Sequence, residues 1–441
     1  MFGHKKYVKA IFIIWMAILS SGSAWAQRTL TLEEAIKVAL QNNKSIQSSK
    51  SNLNIAKSRI IQARSNFLPQ LSFNGTYTWW KKTQNMEIPA GVFGPEPISM
   101  SLDFSKDYVT AFSLSQPLFT SGRIWQSYKI SELGLKVAEE DYRGQEQIVI
   151  FSTKKAFYGL LLAQQFVGVT EEALSLAEEH SRITKIRFNA GEASEFEVLR
   201  AEVEVANLRP QIIKAKNNVK LATLGLKNTL GLNLDGEVEI EGEFKREVPY
   251  PNLDVCLKTA FENRPEIARL GYQRETAQRG VKLAKVNNWP SLSAVVNYQW
   301  QSQKLFYRKE WQDTYSGFLV MSIPLFDGFY TRGKVREVKA TLEGLNIAEK
   351  QLKDGVELEV RQAYLSLSES SEIIKSSEEN VTQAKKNVEI AEEQFASGYV
   401  TSLDVMSTQL ALTTAKTNYI QALHDYTLAI AQLDEAMGTI K

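Results

Sequence analysis

Four segments of the chain alternate between apolar and polar residues, which is the period of a strand with one apolar face. In the first of them the odd positions hold Leu71, Phe73, Gly75, Tyr77 and Trp79, and the even positions between them hold Ser, Asn and Thr. The predicted strands lie near residues 69–83, 107–117, 290–303 and 314–325. Such lengths, with aromatic residues toward one end, suit lipid on one face and water on the other, although a strand of a soluble sandwich remains an alternative.

Two long helical segments follow each pair of strands, at 124–190 and 194–230 and again at 329–397 and 402–437. In the second helix of each pair apolar residues recur every seven positions, which predicts coiled-coil packing. The residues of this seam are Val198, Ala201, Val205, Leu208, Ile212, Ala215, Val219, Ala222 and Leu226, and then Val405, Thr408, Leu412, Ala415, Tyr419, Ala422, Tyr426, Ala429 and Leu433. A soluble helical bundle would explain the helices but not the amphipathic strands. Pro210 should kink its helix, whereas the other half has Thr417 there.

The order of elements occurs twice, so the chain is internally duplicated. Leu32 matches Leu253 at an offset of 221 residues, and Phe188 matches Phe395 at an offset of 207. The offset changes between the two strands, where the first half holds 14 extra residues around 86–103; their Pro and Gly predict a long surface loop. We therefore divide the chain into a first repeat over 27–231, a connecting segment over 232–250 and a second repeat over 251–438.

The number of strands bears on the assembly. A membrane β-barrel needs at least about eight strands, and open sheet edges in lipid would leave backbone groups unpaired. Four strands per chain therefore predict that several copies complete one barrel.

Residues 1–26 predict a secretory signal peptide. Lys5, Lys6 and Lys9 precede a short apolar stretch, and Ala24-Trp25-Ala26 has the small-x-small pattern of a cleavage site. An uncleaved membrane anchor is the alternative, but the apolar stretch is short for a membrane-spanning helix and the cleavage pattern is good. The chain is nearly neutral, with 52 Lys and Arg against 50 Asp and Glu, which gives no case for nucleic-acid binding.

The turns between the long helices carry the candidate functional residues. Gly191 and Gly398 break the helices, and both Ser194 with Glu197 and Thr401 with Asp404 have the spacing of a capping box. Capping is one interpretation of these acids. The other is that, in a ring of subunits, Glu197 and Asp404 form a carboxylate collar that favours cations and controls a gate. Both interpretations can hold together.

Several motifs resemble the outer membrane efflux protein family of TolC-like channels, and the resemblance covers nearly all of the chain after residue 26. The motifs are Asn263-Arg264-Pro265-Glu266-Ile267, Pro117-Leu118-Phe119, Pro324-Leu325-Phe326-Asp327-Gly328, and residues 398–404 followed by Val405-Met406. Each is weak singly, but in order, duplicated and behind a signal peptide they are specific.

The resemblance implies an α+β outer-membrane homotrimer. Its 12-strand β-barrel would stand in outer-membrane lipid and continue as a long coiled-coil α-helical barrel in the periplasm. Implied partners are a periplasmic adaptor and an inner-membrane transporter. The family's gate has two acids three residues apart, which fall at Asp404 and Ser407, so one charge is absent here; the gate arginine falls at Val400. Glu192 and Glu195 are candidates to supply charge instead.

Two other classes of function compete with an export duct. An adhesive outer-membrane stalk would need only one anchor, whereas both halves carry amphipathic strands. An enzyme is disfavoured because His180 and His424 belong to no metal-spacing cluster and no phosphate-binding loop or nucleophile elbow follows a strand. The sequence accordingly predicts no cofactor, no metal site and no catalytic residue.

Overall fold

The computed structural model describes residues 29–79, 81, 84–102, 106–246, 249–305 and 308–441. The predicted signal peptide, residues 1–26, lies outside the described residues. Two compact units make up this part of the chain: unit 1 contains the described residues of 1–49, 143–264 and 355–441, and unit 2 those of 50–142 and 265–354. Among the described helices, none is both long and apolar enough to cross a membrane.

Both halves contain two shorter helices, two long strands and two long helices, in that order. The first half consists of β1 (Thr29–Leu30), α1 (Leu32–Asn42), α2 (Lys44–Ser65), β2 (Gln70–Trp79), β3 (Gln84–Ile88), β4 (Ile98–Leu102), β5 (Lys106–Phe119), α3 (Arg123–Asn189), α4 (Glu195–Leu230) and β6 (Glu239–Ile240). The second consists of α5 (Leu253–Asn263), α6 (Pro265–Lys285), a 3₁₀ turn (Val286–Asn288), β7 (Ser291–Leu305), β8 (Arg308–Ser322), α7 (Tyr330–Ala396) and α8 (Ser402–Ala436). The helices α3 and α7 each have 67 residues, so the offset of 207 holds along them.

The long strands form one antiparallel sheet in the order β2-β5-β7-β8, so that β2 and β8 are its edges. Directly opposite residues lie on the same face, and Phe73, Phe112, Tyr298 and Tyr315 form one such row across all four strands. This face is apolar and exposed over much of its area, with Leu71, Phe73, Tyr77, Trp79, Leu114, Trp300, Trp311, Tyr315, Leu319 and Met321 among its exposed residues.

The opposite face is mostly polar, as the alternation predicts, but β8 departs from the pattern. A row of Ser72, Ser113, Asn297 and Ser316 crosses the polar face. Two residues further along β8 and on the same face, Phe318 lies opposite Val295 and is exposed. An apolar patch therefore interrupts the polar face near the end of β8.

The fourth strand begins and ends earlier than predicted, at Arg308 and Ser322 instead of near 314 and 325. Residues 308–313 include four charged residues, so this part of the strand lacks the alternation of apolar and polar residues on which the prediction relied. Backbone pairing with β7 does not depend on side-chain polarity, and the strand forms there nonetheless. Pro324 has no backbone N–H to donate to a sheet, which accounts for the earlier end.

The predicted long loop around 86–103 is wrong in part. Strands β3 and β4 pair as an antiparallel hairpin, with Gln84 opposite Leu102 and Ile88 opposite Ile98. Only the residues between them, where Pro89, Gly91, Gly94, Pro95 and Pro97 occur, lie outside the strands. The Pro and Gly residues lie in the turn of this hairpin, and because they are typical of loops they led to a loop being predicted for the short strands as well.

In unit 1 each repeat ends its last long helix on a glycine packed against the junction of two shorter helices. Gly231 and Gly438 have positive φ angles of 69° and 70°. A Cβ at Gly231 would lie 2.5 Å from the carbonyl oxygen of Asn42, and one at Gly438 would lie 2.9 Å from the carbonyl carbon of Asn263. Both the backbone conformation and the close approach therefore require glycine.

The long helices of unit 1 pack as two hairpins, α3 with α4 and α7 with α8. The predicted seam positions Ala201, Leu208, Ala215, Val405, Leu412, Ala415, Ala422, Tyr426, Ala429 and Leu433 are buried. The duplication extends to individual contacts. Lys185 of α3 lies 2.6 Å from Glu202 of α4, and the residues 207 positions later, Glu392 and Gln409, form a hydrogen bond of 3.0 Å.

Candidate functional site

Two turns with the same backbone geometry join the long helices of unit 1. Gly191 and Gly398 have φ angles of 81° and 79°. Just after them, the amide of Glu192 donates to the carbonyl of Arg187 at 2.8 Å, and that of Tyr399 donates to the carbonyl of Gln394 at 2.9 Å. A left-handed residue with such a bond back into the helix terminates an α-helix, which accounts for glycine at both positions.

The first turn leads into α4 through a complete capping box. The Ser194 hydroxyl accepts from the amide of Glu197 at 3.3 Å, and the Glu197 carboxylate accepts from the amide of Ser194 at 2.8 Å. The other two predicted acids of this turn are exposed. Glu195 begins α4, where its charge favours the helix N-terminus, and Glu192 lies 3.7 Å from Nε of Arg187.

The second turn repeats this arrangement at α8. The Asp404 carboxylate accepts from the Thr401 hydroxyl at 2.6 Å and from the Thr401 amide at 2.8 Å. These two bonds, in that order, hold the pKa of Asp404 below its ordinary value. Ser407, the position of the second family acid, is exposed and donates to the carbonyl of Asp404 at 2.8 Å. Asp404 and Glu197 therefore cap helices, and their action on a gate stays a prediction.

A polar cluster that is buried except for one half-buried side chain, and that the sequence did not predict, joins the first hairpin to the second beside these turns. Nε2 of His180 on α3 lies 2.7 Å from the hydroxyl of Ser402 at the start of α8. Nη1 of Arg187 donates to the carbonyl of Phe395 at 2.6 Å. The guanidinium also lies 4.7 Å from the centre of the Phe395 ring, and the His180 ring lies 5.0 Å from it. We call His180, Arg187, Phe395 and Ser402 the turn cluster.

The charge state of the turn cluster follows from its burial. His180 is only 4% exposed, and burial lowers the pKa of its imidazole because it disfavours the charged form. The nearby carboxylate of Glu197 acts in the opposite direction but is the smaller effect. His180 is therefore neutral at pH 7. The fixed positive charge of Arg187 is accommodated by a carbonyl, an aromatic face and the carboxylate of Glu192.

One signal in the sequence could have pointed to the cluster. Positions 207 residues after His180 and Arg187 hold Asn387 and Gln394, so the duplicated helices differ there in charge and size. Such a difference between two similar repeats of one chain indicates that the two helices have different neighbours. The contact between His180 and Ser402 could not be predicted from the sequence, because 222 residues separate them.

Comparisons with known proteins agree with this architecture. The family model described as outer membrane efflux protein matches residues 35–232 and 256–439. Outer membrane protein TolC of Escherichia coli is 20% identical, with 98% of this chain and 87% of TolC covered. Alkaline protease secretion protein AprF of Pseudomonas aeruginosa is 23% identical, with 93% and 85% covered. The solved Campylobacter jejuni CmeC outer membrane channel superposes with a TM-score of 0.76 at 18% identity, covering 94% and 90%.

The duplicated fold, with an apolar-faced sheet and paired long helices, defines an outer-membrane efflux duct whose helical part lies in the periplasm. The matched model spans most of both repeats. The chain belongs to the outer membrane efflux protein family.

Proposed function

We propose that the chain works as a homotrimer in which three copies complete one export duct. The observation that carries this is the four-stranded sheet of unit 2, which has two exposed edge strands and an apolar face. Three copies would bring twelve strands together, well above the minimum of about eight for a membrane barrel. Pairing β8 of one copy with β2 of the next would satisfy the backbone groups at both edges.

Transport through this duct is passive, and a periplasmic adaptor with an inner-membrane transporter supplies both substrate and energy. The sequence contains no phosphate-binding loop after a strand, so it offers no means of using a nucleotide. The names of relatives point to export in a larger system, since one is an alkaline protease secretion protein and another a probable efflux pump outer membrane protein.

The turns at 191–197 and 398–404 form the periplasmic gate of the trimer. Glu197 and Asp404 would be repeated in a ring and form a collar of carboxylates, with Glu192 and Glu195 adding charge nearby. The low pKa of Asp404 supports a collar that stays negative in mildly acidic solution.

We also propose that the duct has no catalytic activity. The family consists of channels. Within the described residues, no group of three or more His, Cys, Asp or Glu side chains is arranged to hold a metal ion. An adhesive stalk is the competing function, but it would need only one anchor, whereas both repeats contribute strands to the sheet.

Single-channel recording in a planar lipid bilayer tests the proposed function. We expect the purified protein to have a native mass of three chains and to conduct ions in discrete steps. Conductance should increase in a variant with a loosened gate, such as Arg187→Ala. A folded trimer that conducts in neither form would contradict the duct, and a stable single chain that inserts and conducts would contradict the trimer.

A further inference from the structure

The apolar face of the sheet changes in character toward the strand ends that lie farthest from the long helices. β5 leads into α3 and β8 leads into α7, so the ends near Lys106 and Arg308 are the distant ones. Because the helical part of the duct lies in the periplasm, these distant ends belong to the outer side of the outer membrane.

An aromatic row crosses the apolar face near these ends. It consists of Tyr77, Tyr108, Ser302 and Trp311, each directly opposite the next. The strands that carry Tyr108 and Trp311 have one strand between them and are therefore about 10 Å apart, yet the two ring centres are only 6.4 Å apart. The rings thus lean toward each other across Ser302. Aromatic residues are typical of the boundary between hydrocarbon and headgroups in membrane barrels.

The hydroxyl of Ser302 is the unusual group in the aromatic row. Ser302 is 0% exposed, and within the described part of the chain its hydroxyl oxygen has no hydrogen-bond partner. A buried hydroxyl without a partner costs free energy that a suitable partner would recover. The rings of Tyr108 and Trp311 are themselves exposed, so a polar group that settles between them would supply that partner.

A second row, which we call the lysine row, lies beside the aromatic row on the same face. Two residues further along the strands, Trp79 is opposite Lys106. In the second repeat Lys304 is opposite Lys309, and the register of β5 with β7 brings Lys106 in line with Lys304. Like charges in neighbouring positions of a sheet repel each other. Lysines that only prevent pairing belong on edge strands, whereas β5 and β7 are the two central strands.

The acids of these strands do not neutralise the lysine row. Asp107 and Glu310 directly follow Lys106 and Lys309, so they fall on the opposite face of the sheet. Asp313 lies on the same face as Lys309, but it is four residues away, about 13 Å along the strand, and beyond the aromatic row. Within the described residues of the four strands, the register therefore places no carboxylate beside the lysine row.

We propose that the aromatic row and the lysine row together bind the headgroup of a phosphorylated glycolipid in the outer leaflet of the outer membrane. Phosphate would lie against Lys106, Lys304 and Lys309, where its charge offsets their repulsion. A sugar ring has an apolar face for the rings of the aromatic row and hydroxyl groups that can pair with Ser302. The inference deepens the proposed duct and rests on its apolar face standing in lipid, and the site lies within a single chain.

Titration with lipids tests the proposal. Lipid A, a phosphorylated glycolipid, is the probe, and phosphatidylcholine is the comparison lipid. The full-length protein is titrated with each lipid in a neutral detergent, and native mass spectrometry measures the bound lipid. We expect preferential binding of lipid A, and the combined Lys304→Gln and Lys309→Gln variant should bind it more weakly by about five-fold for each lysine removed. Equal binding of the two lipids by the wild-type protein would overturn the proposal.

Arg308→Gln is the matched control for Lys309→Gln. It removes one positive charge from the adjacent residue of β8, which lies on the opposite face of the sheet. Binding of lipid A should stay at the wild-type level in this control. Equal weakening by Arg308→Gln and by Lys309→Gln would show an effect of net charge alone and would overturn the site.

Ser302→Ala tests whether the headgroup enters between the rings. We expect lipid A to bind roughly two- to ten-fold more weakly, which corresponds to the loss of one hydrogen bond. Unchanged affinity would overturn the placement of a sugar against Ser302.

Inorganic phosphate distinguishes a lipid from a free anion as the occupant. At the same concentration as lipid A it should not displace the lipid, because it makes no contact with the aromatic row. Displacement would show that the lysines take phosphate from any source and would contradict a lipid site.

The native mass and the bilayer conductance of the same preparation separate this inference from the proposed duct. A conducting trimer without a preference for lipid A would overturn the lipid site and leave the duct standing. Single chains that bind lipid A in the expected way and do not conduct would contradict the duct and support the site.

Discussion

At the scale of single residues, Asp404 caps α8, and its action on ions in a gate is the proposed second role. Its hydrogen bonds to Thr401 cap α8, and they also lower the pKa of the carboxylate from its ordinary value. The side chain is exposed, as the proposed action on ions requires. Capping and charge are separable by substitution at pH 7, because capping depends on Thr401, whereas a carboxylate with the ordinary pKa of 3.8 is ionised at that pH without Thr401.

Two substitutions separate these roles. We expect Asp404→Asn to lower the cation preference of the channel, since it removes the charge and keeps a hydrogen-bond acceptor. Thr401→Ala should leave ion selectivity unchanged while it destabilises the start of α8 by about 1 kcal/mol, the usual cost of losing an N-cap. Reversal potentials under a salt gradient measure the selectivity, and thermal unfolding measures the stability. Unchanged ion selectivity in Asp404→Asn would show that Asp404 acts only as a helix cap.

At the scale of elements, α3 is the helix through which the two hairpins of unit 1 are joined. It packs on α4 along the heptad seam, and on α7 and α8 through Leu176 and Ile183. The buried His180–Ser402 contact lies at the start of α8, next to the turn. A change in the charge of His180 would therefore act on the position of α8 relative to α3.

The contact should weaken in acid. Because the pKa of folded His180 lies below its ordinary value of 6.5, the unfolded turn region binds a proton more readily than the folded one. The stability of the contact is therefore full above about pH 6.5 and declines as the pH falls below that value. We expect hydrogen-exchange protection of the first turns of α8 to fall between pH 7.5 and 5.5, after correction for intrinsic exchange rates.

His180→Gln provides the control, since glutamine can still hydrogen-bond to Ser402 but does not titrate. Its protection should vary much less over the same pH range. An equal pH response in the variant and the wild type would assign the effect to other groups.

At the scale of the whole molecule, the duplication supplies two different kinds of surface. In unit 2 it forms a sheet with an apolar face and two open edges, and in unit 1 it forms two hairpins of unequal exposure. Both features leave the single chain incomplete. A closed assembly would satisfy both at once, with lipid against the apolar face and other copies at the edges.

The orientation of the sheet in lipid can be tested by placing a charge on either face of β8. Leu319→Arg places a charge on the apolar face and should lower the stability of the inserted protein by up to ~2–4 kcal/mol. Ser316→Arg, on the polar face of the same strand, should fold normally and change conductance. Refolding yield into lipid vesicles measures the first effect, and bilayer recording the second. Equal yields from the two variants would contradict the assignment of the faces.

The sequence by itself determined the elements, because helices, strands and caps arise from interactions between residues close along the chain. Periodicity in β2, the heptad seam of α4 and the capping boxes at Ser194 and Thr401 all have this origin. Duplication was equally visible, since it is a property of the sequence. Where local pattern was weak or ambiguous, as at the charged start of β8 and in the hairpin of β3 and β4, the prediction failed.

Only the tertiary structure decided which surfaces are covered. The ring of Phe188 and that of Phe395 occupy the same place in the repeat, yet their exposure differs because α3 packs on one hairpin and not the other. His180 and Ser402 meet although 222 residues separate them. No periodic pattern records such a contact, since it depends on where two helices far apart in the sequence pack against each other.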